Sequence, residues 1–316
     1  MMIVLIGGAG FIGLHVAREL KRRSLPFRIV DLYLHGAIEE FSGESPMGGC
    51  DATVLDELLP RLAGADLVVN LATICIRDCL RDPINGARAI QDLGAVVPWA
   101  CVQAGVKRYC YVSSSEAYGE AAAGPLHEGM LCHPQSVYGA AKLTGEGYAQ
   151  AFAPISYGAR APESVIVRPF NVYGPGCHIG GSRGEAIPRW IAQAQRGEPL
   201  TIHGDGLQTR DFTFVEDAAR GIVDAALCDA MVDTGPVNLC SGVERSMLSI
   251  AHAIGSNVRH TEARPCELRR HVGNAARART ILGWESRAGW DEGLARTIAD
   301  VGARVGNAEV PERPWA

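Results

Sequence analysis

The feature that most limits what this chain can fold into lies in its first thirty residues. The segment IVLIGGAGFIGLHVAREL places Gly7, Gly10 and Gly13 directly behind an apolar run and at the head of a stretch with helical periodicity. Gly7 permits a tight turn and Gly10 lets a pyrophosphate approach the backbone. Gly13 lets helix and strand pack closely, with the helix amino end facing the phosphates. Eighteen residues beyond Gly13, Asp31 closes the next apolar run, where a carboxylate can accept hydrogen bonds from both hydroxyls of an adenosine ribose. Strand, glycines, helix and acid together predict a dinucleotide site. A 2′-phosphate would meet the charge of Asp31, and Leu32 and Tyr33 follow it instead of an arginine, so NAD is expected over NADP. Asp51, in GGCDATVLD, either reaches the adenine or caps a helix.

The same alternation continues for about 170 residues. Apolar runs at MIVLIG, FRIVD, DLVVNLA, RYCYVSS and SVIVRPF are separated by helical stretches near residues 11–21, 54–62, 86–104 and 138–152. Continuous apolar strands between helices predict an α/β chain with a doubly wound parallel sheet, covered on both faces. Beyond Asn171 the composition shifts to Gly, Pro, Arg and His, and a smaller second lobe is expected to begin there. The stretch RDFTFVEDAARGIVDAA reads as a strand and helix returning to the sheet, near residues 211–240.

Several function classes are disfavoured. A formal charge of −5 without long basic runs argues against nucleic acid as the main partner. The ten cysteines are irregularly spaced, which predicts reduced thiols and no metal site. No apolar run reaches the roughly 18 residues that span a bilayer, and the start MMIVLIGG reads as a buried strand rather than a signal peptide. The expectation is a cytoplasmic protein with no membrane partner.

Two further segments carry reactive groups. YVSSSEAYG, at residues 111–119, ends a strand in serines and Glu116, and VYGAAK places Tyr138 and Lys142 four residues apart on one helical face. A phenol ordinarily titrates near pH 10, at about 10, but a neighbouring ammonium and an oxidised nicotinamide both favour its ionised form. Tyr138 is therefore a candidate base near neutrality.

With GGAGFIG, DLVVNLA, SSSEAYG, YGAAK, VRPFNVYGPG and GDGLQTRDFTFVEDAARG in this order, the chain resembles the extended short-chain dehydrogenase/reductase family, in its nucleotide-sugar epimerase/dehydratase branch, over nearly its whole length. The resemblance implies a Rossmann-like NAD-binding domain at residues 1–170 and a nucleotide-sugar lobe formed mainly by residues 171–316. It implies cofactor contacts at Gly7, Gly10, Phe11, Ile12, Gly13, Asp31, Asp51, Ala52, Leu71, Ala72, Tyr138 and Lys142. Ser114 would hydrogen-bond the sugar O4. Asn171, Arg210 and Arg264 would meet the diphosphate, and His271 stands where an aromatic often approaches the base; Arg264, in an arginine-rich region, has a surface residue as its alternative reading. The shared step implied is oxidation at C4 by NAD.

A 4-epimerase needs nothing more than that step. A 4,6-dehydratase or sugar-acid decarboxylase would use Ser115 and Glu116, and Glu116 can also be a purely structural acceptor. Family frequency favours the epimerase, with dehydratase or decarboxylase as the alternative and a non-catalytic NAD-binding protein as a remote one. The implied partners are a nucleotide-diphosphate sugar and a second copy of the chain, paired through the helices near 91–104 and 138–152.

Overall fold

The first strand, β1 (Ile3–Ile6), is apolar throughout and buried throughout. Its side chains alternate between two cores: Ile3 and Leu5 enter one, Val4 and Ile6 the other. A strand buried on both faces belongs in a parallel sheet between helical layers. The computed structural model describes residues 1–34, 36–44, 46–121, 124–152, 161–180, 185–264 and 267–306.

β1 leads into α1 (Phe11–Arg22), then β2 (Phe27–Val30), the short α2 (Leu55–Leu58) and β3 (Leu67–Asn70). The helix expected over 54–62 is halved because Pro60 replaces its second half with a single 3₁₀ turn. Next come α3 (Ile76–Arg81) and α4 (Pro83–Ala104). Asp82 accepts the Asn85 amide at the start of α4, Pro83 occupies its first turn, and Gly105 ends it in left-handed geometry at φ 68°. β4 (Arg108–Val112), α5 (Val137–Phe152) and β5 (Glu163–Pro169) complete the expected series.

The second part of the chain adds β6 (Val172–Tyr173), α6 (Ala186–Gln195), β7 (Leu200–His203), β8 (Thr209–Asp211), β9 (Thr213–Phe214), α7 (Val215–Leu227) and β10 (Pro236–Leu239). It closes with β11 (Glu244–Ser246), α8 (Met247–Ile254), β12 (Val258–Thr261), β13 (Arg270–His271), α9 (Ala276–Leu282) and α10 (Trp290–Gly306). The central sheet runs β10-β5-β4-β3-β1-β2, with every pair parallel. The return to this sheet differs from the sequence expectation. Helix α7 does pack against α1, β5 and β10, but the strand that rejoins the sheet is β10, not the RDFTF segment. β8 pairs with β11 and β13, and β9 with β6, in small separate sheets.

β10 escapes a hydrophobicity reading because a buried asparagine interrupts it. Asn238 accepts from the Tyr118 hydroxyl at 2.9 Å and donates to Leu126 O at 3.0 Å, so its amide is satisfied within the core. The smaller lobe has a core of its own around Tyr173, Trp190, Ile191, Phe214, Ile250 and Val301. Among the described residues no helix is long and apolar enough to cross a membrane.

Candidate active site

In a doubly wound sheet every parallel strand ends on the same edge, and the chain reverses its direction of growth between β1 and β3. Gly7 follows β1, Asp31 follows β2, Leu71 and Ala72 follow β3, Ser114 follows β4 and Asn171 follows β5. Segments far apart in sequence therefore meet along one rim.

At the β1 end the geometry is set by backbone. Gly7 has φ +76°, and a Cβ there would lie 2.6 Å from the Ala72 nitrogen. A Cβ on Gly13 would lie 2.5 Å from the Gly7 oxygen, so strand turn and helix touch main chain to main chain. Gly10 differs: apart from the Gly7 oxygen at 3.3 Å, a Cβ there would meet nothing within 4 Å. The amino end of α1 has no side-chain cap and no acidic residue in its first turn. An uncapped helix start beside an unfilled glycine cradle fits the pyrophosphate of NAD. Asp31 is tied to the same turn, accepting from Ala9 N at 3.0 Å and Tyr33 N at 3.2 Å, which presents a carboxylate where an adenosine ribose would sit.

Other expected cofactor residues have different roles. The side chains of Phe11 and Ile12 pack toward Val172, Val215 and Ala218, which leaves only their main chain to face a phosphate. Ala72 N is held by Asn70 Oδ1 at 3.2 Å and Leu71 N by Ile6 O at 2.8 Å. Ala52 is buried in the core on the α4 side. Asp51 turns back on its own segment, accepting from the amide of Thr53 at 2.9 Å and from its hydroxyl at 2.7 Å. It thus closes the turn before α2 without capping it, since Val54 is the N-cap and no side chain caps that helix.

The β4 end carries the reactive groups. Ser114 accepts from Glu116 N at 3.2 Å and starts a 3₁₀ turn over Ser115–Ala117. Gly139 brings that turn onto the first turn of α5, where any Cβ at 139 would strike the Glu116 backbone oxygen. Glu116 and Tyr138 consequently stand side by side. The Ser136 hydroxyl donates to Glu116 Oε2 at 3.3 Å and also accepts from Gly139 N at 3.0 Å. Burial raises the Glu116 pKa, with Arg210 opposing.

Tyr138 departs from expectation. Burial raises its phenol, the hydroxyls of Thr73 and Ser114 lower it, and Glu116 and Glu185 raise it again. Lys142 lies one turn further along, fully buried, and donates to Val112 O at 2.9 Å. The protein alone therefore holds the phenol protonated, because desolvation outweighs its polar neighbours.

On the far side of the rim the His271 assignment is corrected, and Arg210 and Asn171 make contacts within the protein. His271 is fully buried: its ring stacks on Phe170 with centroids 5.4 Å apart, and its Nε2 donates to Ser115 O at 3.2 Å. It supports the Ser115 turn from beneath and cannot contact a base. A carbonyl only accepts, so Nε2 carries the proton and the buried Nδ1 is left without a partner. Burial and Arg210 push this imidazole down to about 4. Arg210 spends its fork inside the protein, donating to Thr209 O, Leu268 O and Glu267 Oε1 at 2.7–2.8 Å. It faces Glu116 and His271. Asn171, at φ +29°, gives its amide to Asp211 O at 2.7 Å and so clasps β8 to the end of β5.

The structure adds Arg77, Arg189 and Glu185, which sequence did not single out, and sets them beside Arg264, which it did. Arg77 of α3, Arg189 of α6 and Arg264 beyond β12 act on one another as like charges, and none of the three has an ion pair among the described residues. Burial together with Arg77 and Arg264 pulls Arg189 down to about 10, and its buried Nε has no partner. The nearest counter-charge is Glu185, at the start of α6, raised to about 7 by burial with Arg77 opposing. Such a group of cations is costly unless an anion joins it. Arg77 lies in the cysteine-containing TICIRDCLRDP stretch, and only its meeting with Arg189 and Arg264 gives it meaning.

A family model described as the NAD-dependent epimerase/dehydratase family matches residues 3–240. The UDP-N-acetyl-alpha-D-glucosaminuronate decarboxylase of Bacillus cytotoxicus is 29% identical over 93% of this chain and 96% of its own length. MoeE5, solved in complex with UDP-glucuronic acid and NAD, is 31% identical with a TM-score of 0.82, covering 96% of this chain and 99% of that one. A variant of the UDP-glucuronic acid 4-epimerase of Bacillus cereus, solved with NAD and a fluorinated UDP-glucuronic acid, is 26% identical with a TM-score of 0.84, covering 96% of this chain and 100% of that one.

Proposed function

Because the chain belongs to the NAD-dependent epimerase/dehydratase family, we propose that it converts a nucleotide-diphosphate uronic acid by oxidation at C4 followed by decarboxylation. Sequence alone favoured the 4-epimerase; the similarity to a uronate decarboxylase and the placement of Glu116 shift the balance to the alternative. The observation that carries the reading is Glu116: a carboxyl biased toward its acid form, fixed by Ser136 beside Ser114 and Tyr138. A simple epimerase has no use for it.

NAD supplies hydride transfer at C4, and the positive charge of its oxidised ring favours the Tyr138 phenolate. Tyr138 then takes the O4 proton while Ser114 hydrogen-bonds O4. The 4-keto uronate is a β-keto acid. Its C5–C6 bond breaks, CO₂ leaves, and the electron pair moves onto O4, where the Tyr138 and Ser114 hydroxyls stabilise the enolate. Glu116 gives its proton to C5, and the hydride returns to C4 as Tyr138 returns its proton to O4. Arg77, Arg189 and Arg264 supply the cationic wall that a diphosphate with an added carboxylate calls for.

The test is incubation of the purified protein with NAD and UDP-glucuronate or its N-acetylated analogue, followed by mass spectrometry. Loss of CO₂ to give a pentose nucleotide supports the proposal. A C4 isomer of unchanged mass rejects it in favour of the epimerase, and loss of water rejects both.

A further inference from the structure

Helix α5 carries a third ionisable group on the face that holds Tyr138 and Lys142. Glu146 lies one more turn along and is 5% exposed. Its Oε1 accepts from Ser113 Oγ at 2.5 Å and from Arg168 Nε at 2.8 Å, and its Oε2 accepts from Arg168 Nη2 at 2.6 Å. A two-point arginine fork and a serine thus fix a buried carboxylate in one rotamer. Arg168 is held in turn by the Tyr118 ring, 4.3 Å from its guanidinium carbon.

Lys142 meets groups from three elements. β4 presents the Val112 carbonyl and the face of Tyr111, whose ring centre is 5.1 Å from the ammonium. α3 presents the Cys79 thiol, and α5 presents Glu146 together with Tyr138 one turn back. Tyr111 reaches this place because residue 145 is glycine: any Cβ there would run into the Tyr111 hydroxyl. Burial raises the Cys79 pKa and, more strongly, that of Tyr111, so both are neutral near pH 7. Among the described residues Glu146 is therefore the one carboxylate acting on the lysine, and Arg168 and Ser113 decide how much of its charge the lysine feels.

We propose that Glu146 is a positioning residue, the negative charge that favours the ammonium form of Lys142 in its buried site and so sets how readily Tyr138 gives up its proton. The balance is fine: burial brings the lysine down to about 7, against the opposing pull of Glu146. The consequence for catalysis rests on Tyr138 being the base, but the electrostatic claim stands without any turnover.

The chain contains three lysines, Lys21, Lys107 and Lys142, so selective ¹⁵N-lysine labelling gives three assignable signals and the Lys142 titration can be followed directly by NMR. In Glu146→Gln the Lys142 midpoint moves down by about one pH unit or more, because the anion is lost. In Ser113→Ala it moves up, because the carboxylate loses a partner that shares its charge while the ion pair with Arg168 remains. An unchanged far-ultraviolet circular dichroism spectrum and cooperative thermal transition report that the fold is intact. Where turnover is measurable, the alkaline limb of the kcat profile shifts in the same two directions. A Lys142 midpoint unchanged in both variants overturns the proposal; if Glu146→Gln fails to fold, the upward shift in Ser113→Ala decides it alone. Absence of turnover in the unaltered protein would count against the proposed function only, and the lysine titration would still decide the role of Glu146.

Discussion

The two ends of the rim are built on different principles. Around β1 the geometry is main chain against main chain: the Gly7 turn on Ala72, Gly13 on Gly7, and an uncapped helix start beside Gly10. Around β8 and β13 it is side chain against side chain, with Arg210 neutralised by Glu267 and His271 sealed beneath Ser115. At Gly7 and Gly13 the first end tolerates no added atoms. The second tolerates no uncompensated charge. A site assembled this way keeps one cofactor geometry while its substrate end can be re-tuned by moving single charges.

The largest effect should come where the two ends meet. Tyr138→Phe should lower turnover by about 10²–10⁴-fold while NAD affinity, measured by calorimetric titration, is unchanged; turnover near that of the unaltered protein would remove Tyr138 from the chemistry.

The next effect belongs to the substrate end and appears as pH-dependent stability. His271 is neutral in the folded state down to about pH 4 but protonates near 6.5 when unfolded. Its folded pKa is the lower one, so its contribution is complete above 6.5 and is lost as pH falls toward 4. That interval corresponds to at most about 3.5 kcal/mol, at about 1.4 kcal/mol per pH unit. Urea unfolding at neutral pH and near pH 4.5 measures the loss, at about the lower edge of the window, and His271→Gln, which does not titrate, should show a smaller one.

At the cofactor end, Gly7→Ala places a side chain at φ +76° against the Ala72 backbone. The conformation alone costs about 1–2 kcal/mol, and thermal unfolding should show a lower Tm with weaker NAD binding. Asp31→Asn should have the smallest effect. Losing a charged acceptor for the ribose hydroxyls weakens NAD binding by about tenfold, near 1.4 kcal/mol, and narrows the preference over NADP. A variant that bound both dinucleotides as the original does would show that Asp31 serves only the Ala9 turn.

How much is legible in the chain itself differs in the same way. The glycine turn, Asp31 and the Tyr138–Lys142 spacing are local patterns whose meaning lies within short runs of consecutive residues. β10 is not legible because Asn238 breaks its apolar run, and what makes that asparagine acceptable comes from Tyr118 and Leu126, more than a hundred residues earlier. Asn171 and Arg210 resemble ligands by motif, and only the structure shows that the Asn171 amide nitrogen and both Arg210 Nη atoms also bind the chain's own backbone and Glu267. Thr73, Arg77, Arg189 and Glu185 give no local signal at all.

By itself the sequence determined the doubly wound sheet, the dinucleotide end and the tyrosine–lysine pair, because periodicity and glycine placement act through the backbone over short distances. The tertiary structure decided which carboxyl stands beside Tyr138, which arginines gather without an ion pair among the described residues and which histidine is out of reach. Those outcomes depend on burial and on charges contributed by segments that share no sequence neighbourhood, and desolvation has no value until the fold has formed.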